Sequence, residues 1–209
     1  MATAQQIFRI PNEDAEPLVL RLPNHPRGNS DWFFELCQVN DGLQLERTAE
    51  GEILVMAPTG VESGYREGEV FLQLRIWAGR DDTGRAFNSN TGFILPNKAS
   101  RAPDASWVKV SRLAKLAAKQ KRKFCPLCPD FVVEVLSPSD RLPTLQGKME
   151  EYRENGAVLG WLIDPEERKV YVYRPGKRVE CLNRPKRLSG DPELPGFVLE
   201  LARIWKPDI

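Results

Sequence analysis

Two acids and one lysine stand out in this chain: Asp104, Glu134 and Lys148. Glu134 lies inside Phe131-Val132-Val133-Glu134-Val135-Leu136, a continuous apolar run rich in β-branched residues. Such a run reads as a buried strand. A carboxylate there must be paired, protonated or bound to a metal, because burying it alone costs several kcal/mol or more. Asp104 follows Pro103 and opens a second strand-like run, Ala105 to Val110. Two carboxylates on strands can hold a hard divalent cation through oxygen. The cation polarises a phosphodiester and lowers the pKa of a bound water. An ammonium nearby can orient that water or offset developing charge. Asp104, Glu134 and Lys148 therefore form the set that metal-dependent phosphodiester hydrolysis uses.

Several elements must position these groups. Leu145, Met149 and Tyr152 recur at i, i+4 and i+7, which predicts a helix over 145–155 with that stripe buried. Lys148 sits on or beside the stripe, so it either snorkels outward or reaches a carboxylate. Val70, Leu74 and Trp77 predict a helix over about 62–79. Asp31 to Cys37 reads as a short helix capped by Ser30. Residues 43–47 and 52–56 read as a hairpin around Glu50-Gly51, and 159–164 with 169–173 as another over Pro165-Glu166-Glu167. Arg85 to Pro96 reads as one strand, and Arg112 to Lys119 as a helix capped by Ser111. Leu194 to Leu201 packs back as a strand or short helix. Asp130 and Asp164 flank prolines at element ends and read as turn residues, as Ser137 and Ser139 do after Leu136.

Residues 1–29 hold Pro11, Pro17, Pro23 and Pro26 and read as an N-terminal arm with one edge strand at 18–22. The remaining residues, 30–209, read as one domain. A hydrophobic content of 41% against 28% charged residues suits a globular core. No apolar window is long enough for a membrane span, and no secretory signal is visible, so a cytoplasmic protein is expected. Cys125 and Cys128 make a lone CxxC, half of a zinc site. With His25 the only histidine, free thiols are the simpler reading.

The net charge is only +1, so overall charge does not announce a nucleic-acid partner. Local charge does. From 98 to 123, basic residues recur with Asp104 as the only acid. Arg101, Lys109, Arg112, Lys115 and Lys119 are the candidate phosphate contacts there, since phosphate contacts supply most non-specific DNA affinity. A solvated helix face is the competing reading. The patch from Arg174 to Arg187 reads as a solvated loop.

The order of these phrases resembles the PD-(D/E)XK nuclease superfamily, and the longer ones resemble its Uma-type restriction endonuclease branch. The matching phrases run from Asn90-Thr91-Gly92-Phe93-Ile94-Leu95-Pro96 through Arg101-Ala102-Pro103-Asp104-Ala105-Ser106-Trp107, Cys128 to Asp140 and Gly160 to Pro165, to Leu194 to Leu199. The resemblance implies an α/β (α+β) restriction-endonuclease-like domain, with a mixed, mostly antiparallel central sheet flanked by helices. It implies Mg²⁺ or Mn²⁺ held by Asp104 and Glu134, DNA as substrate, 5′-phosphate products, a homodimer, no organic cofactor and no membrane. The superfamily lysine position, two residues after the second acid, is Leu136 here, and in this branch the lysine moves to the next helix, at Lys148. A first-helix acid often supports such a site. Among Glu62, Glu67 and Glu69, Glu67 is favoured because it shares the face of Val70 and Leu74. Asn88 stands where the family often has an acid. The alternative is a binding module for DNA or a partner on a nuclease scaffold.

Overall fold

The protein is described by a computed structural model that covers residues 5–8, 18–22 and 31–209. The chain falls into two compact units, residues 1–58 and 59–209. In the first, β1 (Gln5–Phe8) pairs antiparallel with β2 (Leu18–Arg21), which is the strand expected at 18–22. Helix α1 (Trp32–Val39) follows Asp31; the expected cap, Ser30, lies outside the described residues. Asn40 ties α1 to β2, accepting from the Arg21 amide and donating to the Arg21 carbonyl, both at 2.8 Å. The expected hairpin is β3 (Gln44–Arg47) with β4 (Ile53–Met56).

The second unit opens with α2 (Val61–Asp81), longer at both ends than its apolar stripe predicts. It continues through β5 (Gly84–Asn88), β6 (Phe93–Ile94), β7 (Ser100–Arg101), β8 (Ala105–Lys109) and α3 (Val110–Leu113). Then come β9 (Phe131–Val135), α4 (Leu142–Glu154), β10 (Leu159–Asp164) and β11 (Lys169–Tyr173). The chain ends with β12 (Glu180–Asn183), β13 (Arg187–Ser189), β14 (Val198–Glu200) and α5 (Ala202–Trp205). Six strands form the central sheet in the order β12-β11-β10-β9-β8-β5. Only β9 and β10 run parallel; the other neighbours are antiparallel. The α4 crossover imposes that parallel pair, since parallel strands need a long connection.

Strand alternation sorts the sheet into two faces. Ala105, Trp107, Phe131, Val133, Leu159 and Trp161 join Val70, Leu74 and Ala78 of α2 in one core. Residues of the other parity, Val132, Glu134 and Gly160, face α4. Gly160 has a steric reason: a Cβ there would fall 2.6 Å from the Met149 Cε, so glycine lets α4 lie close against β10. Gly84 plays the same part on the other face, where a Cβ would lie 2.1 Å from the ring of Trp107. Trp107 is buried, so the Gly84→Ala protein is expected to lose about 1–3 kcal/mol of stability through overpacking. Urea denaturation checks this. An unchanged midpoint would mean that the indole moves aside freely.

Two expectations are corrected here. The run from Arg85 to Pro96 is two strands, not one. Asn88 turns the chain, accepting from the Thr91 amide through its carbonyl, and Gly92 packs under Phe124, where any Cβ would clash. The helix expected over 112–119 is only α3, four residues starting at Val110 without a side-chain cap from Ser111. A turn and a short 3₁₀ segment, Gln120–Arg122, replace the rest. Repeated like charges and a thin apolar stripe leave that segment little to pack with, and short helices depend on packing.

Candidate active site

Glu134 and Asp104 come together through strand register. β8 pairs with β9 as Ala105↔Val133 and Ser106↔Val132. Continued by one residue, that register sets Asp104 opposite Glu134. The Val135 amide donates to Asp104 Oδ2 at 2.7 Å and holds the carboxylate against β9. Glu134 is buried and pairs with Lys148, whose Nζ lies 2.9 Å from Glu134 Oε1. Lys148 therefore reaches the carboxylate rather than snorkelling. Tyr152 donates to the same Oε1 at 3.0 Å, and Lys148 Nζ sits 6.0 Å from its ring centroid. Lys148 and Tyr152 are one helical turn apart, so α4 presents both to one carboxylate. In the sequence Tyr152 reads only as part of the buried stripe. Its spacing from Lys148 is the signal that marks it for the site.

A third acid belongs to this neighbourhood. The half-buried Glu67 of α2 has its carboxyl raised by burial, and then by the charges of Glu134 and Asp140. Glu62 is committed to Arg66 at 2.9 Å, and Glu69 bonds Gln73 at 2.9 Å, so Glu67 is the α2 acid that feels the site. Asp140 was not singled out from the sequence. Its Oδ2 accepts from the Ser137 amide and hydroxyl, at 2.9 and 2.6 Å, which fixes the turn between β9 and α4. Asp164 serves its local turn as expected, accepting from the Glu167 amide at 3.0 Å. Asp130 does not: it reaches across to the end of β8, where its Oδ2 accepts from the Lys109 amide at 2.9 Å.

Burial is the main reason the Asp104 carboxyl is pushed up to about 7, with the charge of Glu67 next; Lys148 and the Val135 amide oppose the shift. This shift has a consequence for stability. An unfolded aspartate ionises near pH 4. Between there and about 7 the folded protein keeps a proton that the unfolded chain has lost. Stability of the metal-free protein is therefore expected to fall as pH rises through that window and to level off above it. Thermal melts from pH 4.5 to 8 test this, and the slope contributed by Asp104 should vanish in the Asp104→Asn protein.

The candidate phosphate contacts divide. Lys109, Lys115 and Lys119 are exposed. Arg112 is partly committed, with its Nη1 3.1 Å from Asp130 Oδ1. Arg101 is not presented to solvent as expected: its side chain is 10% exposed, and its Nε lies 2.6 Å from Glu151 Oε2. Asn88, opposite Ala105 in the sheet, is exposed, and its Oδ1 accepts from the Asn90 amide. Cys125 and Cys128 are free thiols. Burial raises them to about 11 and about 12, so they stay protonated at neutral pH.

A family model described as "Putative restriction endonuclease", named Uma2, matches residues 31–202. The chain belongs to the Uma2 family. Among curated proteins none matches. One solved structure resembling this Uma2 chain is a protein titled a putative nuclease belonging to DUF820, from Anabaena variabilis. It is 22% identical, with 77% of this chain and 89% of that one covered and a TM-score of 0.66, a likeness of fold.

Restriction-endonuclease-like families use divalent metals, so the donors of this Uma2 chain must be tested against one. Among the described residues no three His, Cys, Asp or Glu side chains gather into a ready-made cage. Magnesium-class ions do not need one: they keep several waters and take one or two carboxylates plus substrate phosphate. Asp104 and Glu134 are two carboxylates of the kind such an ion takes. Asp104 Oδ1 accepts no hydrogen bond among the described residues, and the carboxyls of Asp104 and Glu67 are raised first by burial and then by neighbouring carboxylates, a cost that a bound cation would offset. The site fits a hard cation. No helix is long and apolar enough to cross a membrane among the described residues.

Proposed function

We propose that this Uma2-family chain is a divalent-metal-dependent endonuclease that hydrolyses DNA phosphodiester bonds. The observation that carries this reading is the buried Glu134, bonded by Lys148 and Tyr152 and set opposite Asp104. Asp104 and Glu134 are the residues that would hold Mg²⁺ or Mn²⁺, which supplies Lewis acidity and a water of lowered pKa when bound. Tyr152 keeps the Glu134 carboxylate in one orientation. Lys148 places a positive charge where negative charge develops on the phosphate and orients the attacking water. Glu67 adds a third carboxylate near the pair, able to accept a proton from water. Lys109, Lys115 and Lys119 contribute exposed phosphate contacts. In this reading residues 30–209 form the nuclease domain with 1–29 as its arm, the protein works in the cytoplasm as a homodimer, and its products carry 5′-phosphates.

A second reading has its own support. Leu136 stands at the superfamily lysine position, and Asn88 brings no charge to the sheet edge beside Asp104. Such a chain could bind DNA or a partner without cutting, because fold does not dictate chemistry. Supercoiled plasmid with Mg²⁺ or Mn²⁺ separates the two. Nicking that stops with EDTA supports the nuclease. DNA retained in EDTA, with no cleavage in either metal, supports the binding module.

A further inference from the structure

The proposed site is assembled from two parts that sequence keeps apart. Asp104 sits at the end of the segment that follows β7, one residue outside β8. Lys148 and Tyr152 sit on α4, some forty residues later in the chain. An ion pair crosses between these parts. Arg101, three residues before Asp104, places its Nε 2.6 Å from Glu151 Oε2, with side-chain exposures of 10% and 16%. The other oxygen of Glu151 accepts from Asn97 Nδ2 at 2.9 Å. The Asn97 amide donates to Asn155 Oδ1 at 2.8 Å, and Asn155 Nδ2 donates to the Glu151 carbonyl at 2.8 Å. Glu151 and Asn155 are one turn apart, on the helix face next to that of Lys148 and Tyr152. Helix α4 is thus gripped along two adjacent faces, by Glu134 on one and by the loop before Asp104 on the other.

We propose that Arg101 and Glu151 are positioning residues, whose ion pair sets the helix carrying Lys148 against the segment carrying Asp104. The pair touches neither substrate nor reacting atoms. It acts by fixing both the rotation and the height of α4, and a shift of about 1 Å in a reacting group can cost about 100-fold in rate. The pair is charged, short and largely out of solvent, so neutralising one partner takes the opposite charge away from the other. Only the activity readout rests on the nuclease reading above.

The test uses Arg101→Gln, Glu151→Gln and the double variant in the full chain, each with folding checked by melting and assayed well below its transition. Pulse acetylation read by mass spectrometry reports the reactivity of Lys148, which is mostly shielded, with a side chain 12% exposed. Either single variant is expected to raise Lys148 acetylation about fivefold and to lower kcat about tenfold, with KM for plasmid unchanged. The double variant, which removes both charges together, is expected to recover part of both. DNA affinity and its salt slope should not move, whereas loss of a phosphate contact would flatten the slope by about 0.9. Unchanged acetylation overturns the proposal, and so does unchanged kcat in a parent that cuts DNA. A weaker affinity with a flatter slope assigns Arg101 to DNA instead and also overturns it. If the parent cuts nothing while acetylation rises in the single variants, the nuclease reading fails and the positioning role stands.

Discussion

Plasmid incubated with Mg²⁺ and the Asp104→Asn protein is expected to be cut about 1,000-fold more slowly than with the natural sequence, a loss of about 4 kcal/mol of transition-state stabilisation. The substitution is chosen for what it keeps. Asparagine has nearly the same shape, and its oxygen can still accept from the Val135 amide that holds Asp104 in place. It removes only the charge. That charge is disfavoured in the metal-free protein, since burial and Glu67 push the Asp104 carboxyl up to about 7. The variant should therefore melt no lower than the parent at pH 8, and lost cleavage cannot be ascribed to unfolding. Calorimetry with Mn²⁺ in the absence of DNA gives the second readout, where affinity should fall at least tenfold. An Asp104→Asn protein that cuts and binds Mn²⁺ like the parent would sink the two-carboxylate site.

Much of this arrangement was legible in the sequence because it rests on local patterns. An acid inside Phe131 to Leu136 had to be paired, protonated or bound to a metal, and it is paired with Lys148. The stripe of Leu145, Met149 and Tyr152 fixed the helix and put Lys148 beside its buried face. The sheet of mixed, mostly antiparallel strands also followed from the phrases it shares with a known family. What stayed hidden is relational. The basic residues between 98 and 123 look alike in sequence, yet Arg101 is consumed by Glu151, fifty positions away, while Lys115 and Lys119 stay in solvent. No local pattern could name that partner. The break between β5 and β6 was missed because Phe87 and Phe93 both look strand-like, and only the approach of Phe124 over Gly92 shows why the chain must turn between them. Asp140 went unnoticed because its serine contacts mark a turn, while its charge is felt by Asp104 and Glu67 across the fold.

The Lys148→Met protein is expected to be less stable than the parent by about 3 kcal/mol, besides losing cleavage. The cause is not the missing ammonium alone. Glu134 has only 4% of its side chain exposed, and its Oε1 sits 2.9 Å from Lys148 Nζ. Without that cation a carboxylate is left in a low-dielectric place with Tyr152 as a remaining donor, and it must stay charged at a cost or take up a proton. A double variant separates the two effects. Glu134→Gln with Lys148→Met removes both charges and keeps an acceptor for the Tyr152 hydroxyl, so it should recover more than half of the lost stability in urea denaturation while remaining inactive. Stability and activity then part company. That is the signature of a pair whose charges serve the site more than the fold. Should Lys148→Met unfold at the same urea concentration as the parent, Lys148 is snorkelling in solution, and the orientation of Glu134 must be assigned to Tyr152 instead.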